Sequence, residues 1–194
     1  MDGARVVVLR LGHRLVRDER VSTHLALVAR AFGASEIIFP EQEDVNVQRK
    51  VEDVVNRFGG KFKVHFGGGW HSIIKEWITS GGIVVHLTMY GVPLPEVIGE
   101  IKSLNKDVMV IVGGAKVPRE VYSMATYNVS ITNQPHSEIA ALAVFLDHYF
   151  EGKEFYLNFD DAKLRVIPST SGKKVISIGR QGHEATQTGE LSEV

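Results

Sequence analysis

Three stretches of this chain have the composition of ligand-reading loops. They are His86-Leu87-Thr88-Met89-Tyr90-Gly91, Gly113-Gly114-Ala115-Lys116-Val117-Pro118 and Thr132-Asn133-Gln134-Pro135-His136-Ser137. Glycine lets a backbone come close to a ligand, and irregular loops leave N–H and C=O groups free to read a heterocycle. Each stretch alone reads equally well as a simple turn; three at the same position in a repeating pattern point to a crevice. A second chemistry is cationic. Residues 1–30 hold six arginines (Arg5, Arg10, Arg14, Arg17, Arg20 and Arg30) against Asp2, Asp18 and Glu19. Residues 49–63 hold Arg49, Lys50, Arg57, Lys61 and Lys63 against Glu52 and Asp53. These segments form either one phosphate-facing surface or two solvated helix faces.

Missing motifs narrow the chemistry. The first β-branched run leads into Arg10-Leu11-Gly12-His13-Arg14. It lacks the G-x-G-x-x-G turn of nicotinamide sites and of common Rossmann-type methyl-donor sites, and nothing resembles G-x-x-x-x-G-K-[ST]. Gly67-Gly68-Gly69 before Trp70 reads as a turn. The eight histidines are scattered without metal-ligand spacing, so no metal is expected.

The elements that must position these groups follow from hydrophobic periodicity. Strands are expected at 6–9, 36–39, 62–66, 83–87, 108–112 and 127–131, alternating with helices at 21–32, 45–58, 70–78, 93–104, 119–124 and 137–150. Six such alternations predict a mostly parallel six-stranded α/β sheet flanked by helices, whose strand carboxyl ends bring the three loops to one edge. Beyond Gly152, residues 164–167 and 175–178 around Ser169-Thr170-Ser171-Gly172 predict a C-terminal β-hairpin. The expected organisation is a domain over 1–151, a hairpin extension over 152–179 and a flexible tail over 180–194. The 194 residues, 44% hydrophobic and 23% charged with net charge −1, suit one soluble domain with an appendage. No apolar run reaches membrane-spanning length, and the Arg-rich start is not a secretory signal. The absence of cysteine excludes disulfides and thiolate chemistry and is compatible with a cytoplasmic location.

These motifs carry a resemblance. Leu9-Arg10-Leu11-Gly12-His13-Arg14 with Arg17-Asp18, Arg20, Thr23-His24, Leu27 and the run 29–34 resembles the opening of the archaeal tRNA cytidine-56 2′-O-methyltransferases. Residues 87–91, 112–118 and 132–142 resemble that family's continuation, in order. The resemblance implies a SPOUT (SpoU/TrmH-like) fold with a C-terminal deep trefoil knot, S-adenosylmethionine as cofactor, tRNA as partner and a homodimer. Ordinary topology rules argue against a knot, and periodicity does not show one.

The implied donor site comprises Leu87, Thr88, Tyr90 and Gly91 from the first loop and Gly113, Gly114, Lys116 and Val117 from the second. Ile131, Asn133, Gln134, Ser137 and Glu138 come from the third, with adenine between Leu87, Val117 and Ile131. Ser137 is expected to cap the last helix with Glu138 in its first turn, and Met89 and Met124 to be packing residues. Arg20, Thr23 or His24, Leu27 and Arg30 follow one another at helical spacing. SpoU-like relatives carry a functional arginine where this chain has Leu27, so the catalytic candidates are Arg20, His24 and Arg30. Arg20 is favoured for clamping a phosphate and orienting the ribose, and Arg30 stands equally as a structural ion pair. Arg14, Arg17, Lys61, Lys63 and His136 are the expected RNA contacts. Ile139, Ala140, Ala141, Ala143, Val144 and Phe145 make the last helix the expected dimer seam. The competing reading is a non-catalytic RNA-binding module of the same fold.

Overall fold

The computed structural model describes residues 3–114 and 116–178. Strand β1 (Val6–Leu11) is buried throughout and leads through Gly12 into helix α1 (Glu19–Ala31). Then follow β2 (Glu36–Phe39), α2 (Val45–Phe58), β3 (Lys63–Phe66), α3 (Trp70–Thr79), β4 (Ile83–Pro93) and α4 (Leu94–Ser103). The domain closes with β5 (Val108–Gly113), α5 (Arg119–Met124), β6 (Tyr127–Ser130) and α6 (Glu138–Phe150).

All six strands are parallel, in the order β3-β2-β1-β5-β4-β6. β4 is flanked by β5 and β6, the two strands that follow it, so the chain turns to opposite sides at its carboxyl end. A reversal of this kind opens a crevice beyond the strand ends. Adjacent residues of β1 serve opposite faces, as the period of a strand requires. Val6 and Val8 join the main core with Leu25 and Ala29 of α1 and Leu142 and Phe145 of α6. Leu9 and Leu11 join a second cluster with Ile74 and Val121. By this alternation Arg10 shares the first face.

Local chemistry sets the boundaries. The Asp44 carboxylate accepts from the amides of Asn46 and Val47 and starts α2, which stops at Gly59 with φ +77°. Ser137 Oγ accepts from the Ile139 amide at the start of α6. Three elements depart from the periodicity by two residues or more. β1 runs on to Leu11, two residues past its expected end. α1 begins at Glu19, two residues early. β4 runs past Leu87 to Pro93 because the chain rejoins β6 after a break in register between Leu87 and Val92. The intervening residues are the first of the three loops.

Residues Leu164–Val166 (β7) and Val175–Ser177 (β8) form the antiparallel hairpin. The segment before it docks on the end of α2. Asp161 Oδ1 accepts from the Gly60 amide at 2.8 Å, and the Lys163 amide donates to the Arg57 carbonyl at 3.0 Å. A Cβ at Gly59 would meet the Ala162 backbone at 2.7 Å, which accounts for glycine at this contact. The expected tail at 180–194 lies outside the described residues. Among the described residues no helix is long and apolar enough to cross a membrane.

Candidate active site

The loops after β4, β5 and β6 enclose a cavity of about 530 Å³. Its wall is His86, Leu87, Thr88, Met89 and Tyr90 from β4, Gly113, Gly114 and Val117 beyond β5, Tyr122 from α5, and Ile131, Pro135, His136, Glu138 and Ala141 around the start of α6. Aliphatic Leu87, Val117 and Ile131 face a small set of polar groups, the usual make-up of a small-molecule site. Gly113 abuts Val117, where an added Cβ would collide with Cγ2 of that valine.

The sixth-strand loop is tied to the first. Asn133 Nδ2 donates to the Met89 carbonyl at 2.7 Å and to the Gly91 carbonyl at 3.1 Å. A Cβ at Gly91 would lie 2.5 Å from the Asn128 carbonyl oxygen, so only glycine lets these segments pass so closely. Gly91, Asn133, Gln134 and Ser137 therefore stand outside the wall and shape it. Lys116 is exposed and also outside it. Met89, expected to be a packing residue, lines the cavity, whereas Met124 packs in the second core cluster. His136, expected to contact RNA, lines the cavity too, with Nδ1 donating to the Ser137 carbonyl at 3.0 Å.

The charged floor beside the cavity was not singled out by spacing. Arg10 is 2% exposed and pairs through Nη2 with Glu138 Oε1 at 2.9 Å. It also donates through Nη1 to the Leu11 carbonyl, while Nε, buried, has no partner. A buried guanidinium needs compensating partners, and among the described residues this carboxylate is the one acidic group on the cavity wall. Thr23 Oγ1, on α1, is a second buried atom without a partner. The available sequence signal was a charged residue in the middle of the buried run 6–11.

His13 is buried next to this edge. Nδ1 lies 2.8 Å from Ser22 Oγ and Nε2 lies 3.1 Å from Asp44 Oδ2, so it joins the loop after β1 to the starts of α1 and α2. Glu41 Oε1 accepts from the Gly12 amide at 2.7 Å and holds the same loop. Arg14 in that loop is paired with Asp18 at 2.9 Å. That pairing, first through the hydrogen bond, holds the Asp18 carboxyl below its ordinary pKa against the opposing effect of burial.

The arginine and lysine candidates separate by position. Arg20 and His24 are exposed, with Arg20 in the first turn of α1 at the strand-carboxyl edge. Thr23 and Arg30 are buried, so the expected stripe on α1 divides into an outer and an inner face. Arg30 lies at the opposite end of α1. Its Nη2 donates to the Gly59 carbonyl at 2.5 Å, and its guanidinium lies 4.8 Å from the Phe159 ring centroid. Burial lowers its pKa from the ordinary value while the charge of Asp161 opposes that shift. Within one chain this clasp holds Arg30 away from the cavity wall, the arrangement of its structural alternative. Lys61 and Lys63 are exposed at the amino end of β3, across the length of the sheet from Arg14 and Arg17. Lys50 of the second basic segment pairs with Glu19 at the start of α1 at 2.5 Å, so the two segments adjoin there, and Lys61 and Lys63 stand apart.

Known proteins share both sequence and fold with this chain. A family model described as tRNA ribose 2′-O-methyltransferase, aTrm56, matches residues 58–176. A tRNA (cytidine(56)-2′-O)-methyltransferase of Methanopyrus kandleri is 56% identical over 171 residues, 88% of this chain and 96% of that protein. Its namesake in Thermococcus kodakarensis is 52% identical over 177 residues, 89% and 97% of the two chains. Among solved structures, the SpoU methyltransferase AviRb from Streptomyces viridochromogenes, in complex with the cofactor AdoMet, superimposes with TM-score 0.55 at 13% identity. The superposition covers 79% of this chain and 59% of that one. The TrmH/SpoU tRNA modifying enzyme of A. aeolicus gives TM-score 0.56 at 12% identity, covering 80% and 78%. The six-stranded parallel sheet is thus the SpoU/TrmH fold, and the chain belongs to the aTrm56 family of tRNA ribose 2′-O-methyltransferases.

Proposed function

We propose that this protein methylates the 2′-hydroxyl of cytidine 56 in tRNA, with S-adenosylmethionine as methyl donor. The observation that carries the reading is the cavity where the chain reverses direction around β4, in a chain 56% identical to a methyltransferase of that specificity. The wall suits the donor. Leu87, Val117 and Ile131 offer apolar surface for a purine, Gly113 and Gly114 admit close backbone approach, and Glu138 offers a carboxylate to a cationic ligand. Bound there, S-adenosylmethionine supplies an electrophilic methyl group on a sulfonium. The residues just outside the wall, Gly91, Asn133, Gln134 and Ser137, hold the loops in place, and Lys116 stands at their rim. A module that only bound RNA would have no use for such a cavity.

The chain's own groups then position the acceptor. Arg20, exposed at the entrance of α1, grips a phosphate and orients the ribose, with His24 one turn further on. Arg14 and Arg17 in the preceding loop extend the cationic edge. A 2′-hydroxyl is a poor nucleophile, so alignment with the methyl group is the main contribution asked of these residues. Arginine is always protonated, which makes clamping its role rather than proton abstraction. A homodimer through α6 completes the proposal. Ala141 and Phe145 are used in this chain's own core, leaving Ala140 and Val144 exposed along the outer face. A tRNA substrate supports a cytoplasmic location.

Radiolabelled methyl transfer to unmodified tRNA transcripts, followed by mapping of the modified ribose, tests the function. Label at cytidine 56 is expected, and no transfer with correctly folded tRNA refutes it. Light scattering should give twice 21.5 kDa, and a monomer at micromolar concentration removes the α6 seam.

A further inference from the structure

One group on the cavity wall has no part in that reading. His86 is 1% exposed, and hydrogen bonds fix which of its nitrogens carries the proton. Asn128 Nδ2 donates to the Tyr122 carbonyl at 2.8 Å, which sets the orientation of the amide. Asn128 Oδ1, which can only accept, therefore faces His86 Nδ1 at 2.9 Å, so Nδ1 holds the hydrogen. In the neutral ring the lone pair is then on Nε2, which has no hydrogen-bond partner among the described residues. The ring is also locked in orientation. Tyr122 packs edge-on at 4.6 Å between centroids, and its hydroxyl lies 3.3 Å from Thr88 Oγ1. Burial pushes the His86 pKa down, against the opposing hydrogen bond that Nδ1 donates to Asn128, so the neutral form is the resting one.

We propose that His86 is a ligand-binding residue of the donor site, presenting Nε2 as a hydrogen-bond acceptor to an N–H or O–H of S-adenosylmethionine. The inference rests on the reading of the cavity as the donor site. A neutral acceptor suits a donor that carries a positive sulfonium, which an imidazolium would repel. The groups facing the ring are consistent with this role. They are the Tyr122 hydroxyl from α5, the Asn128 amide from β6 and Thr88 of β4. His136 and Glu138 stand on the same cavity wall, the carboxylate already paired with Arg10.

Calorimetric titration of S-adenosylmethionine and S-adenosylhomocysteine into the full chain, from about pH 5.5 to 8.5, tests it. Wild-type affinity should hold to a lower pH than that of Asn128→Asp, because burial lowers the pKa of His86. His86→Phe should weaken both ligands about tenfold, the order of one lost hydrogen bond to a buried site, at a temperature where the variant's circular dichroism matches that of the folded wild type. His86→Gln, which retains an acceptor, should recover part of the loss. Asn128→Asp places a carboxylate beside Nδ1 and raises the His86 pKa. Its affinity should therefore fall as the pH drops and return towards the wild-type value as the ring deprotonates. Should His86→Phe fail to fold, Asn128→Asp and His86→Gln carry the test. Wild-type-like binding by His86→Phe, or a flat pH profile for Asn128→Asp, overturns the inference and leaves the donor site standing. Intact donor affinity with lost methyl transfer likewise overturns it, because the acceptor would then serve the tRNA hydroxyl. A wild-type chain that binds no S-adenosylmethionine overturns both.

Discussion

Arg10 and Arg30 are both buried beside α1, at opposite ends of the sheet, and they solve the same physical problem differently. Each removes a guanidinium from water, which is tolerable only with compensating partners. Arg30 finds a backbone carbonyl, an aromatic face and the charge of Asp161, all belonging to the end of α2 and the extension. It is a clasp between two parts of the chain. Arg10 finds Glu138, whose carboxylate is part of the cavity wall, and its terminal nitrogens face Gly114, while the Nε of each arginine is left without a partner. The comparison teaches that burial of a charge says nothing about its role until its partner is known.

Substitution of the two arginines should separate them. Arg10→Met removes the charge and keeps most of the volume. It strands Glu138 and should cost about 3–5 kcal/mol of stability, the scale for breaking a buried ion pair, with loss of donor binding in the folded fraction. Denaturant melts and calorimetry measure both, and an Arg10→Met protein that is stable and binds the donor normally would end the distinction drawn here. Arg20→Ala, at the exposed start of α1, should raise the methyl-transfer barrier by about 2–4 kcal/mol while donor affinity stays unchanged. Arg20→Lys should recover only part of the rate, since a point charge lacks the two-pronged geometry of a guanidinium. Single-turnover assays read this directly.

Arg30→Ala should do the reverse, lowering stability by about 1–3 kcal/mol while turnover per folded molecule is retained. A collapsed rate in a stably folded Arg30→Ala protein would transfer the catalytic role to the clasp. Gly113→Val should weaken donor binding about tenfold by driving Val117 into the cavity, an effect on the order of a lost contact. The smallest effect is expected from replacing Lys61 and Lys63 with alanine. Because they lie at the amino edge, tRNA affinity and its salt dependence should change only slightly. A large loss of tRNA affinity with unchanged donor binding would mean that RNA wraps to the clasp side of the sheet.

Much of this arrangement was readable from residue order. Strand and helix periods are local properties, so α2 and α5 fall on the expected residues and the other elements within a few. The three loops announced themselves by composition, and the ordered motifs around them carried the family. Periodicity failed at β4, where residues 88–93 look like a turn and a helix entrance and yet the chain returns to pair with β6. That pairing depends on a strand far along the chain and on glycine at 91, which no local window contains.

The roles of the charged residues were decided by folding alone. Nothing near Arg10 in the chain indicates Glu138, and nothing near Arg30 indicates Gly59 or Phe159. Likewise the tautomer of His86 depends on Asn128 and Tyr122, brought together by packing of α5 and β6 on β4. Local preferences act over a few residues and so are written in order along the chain. Partner choice for a buried charge or imidazole is made across elements, through desolvation and hydrogen bonding that exist only once those elements have packed.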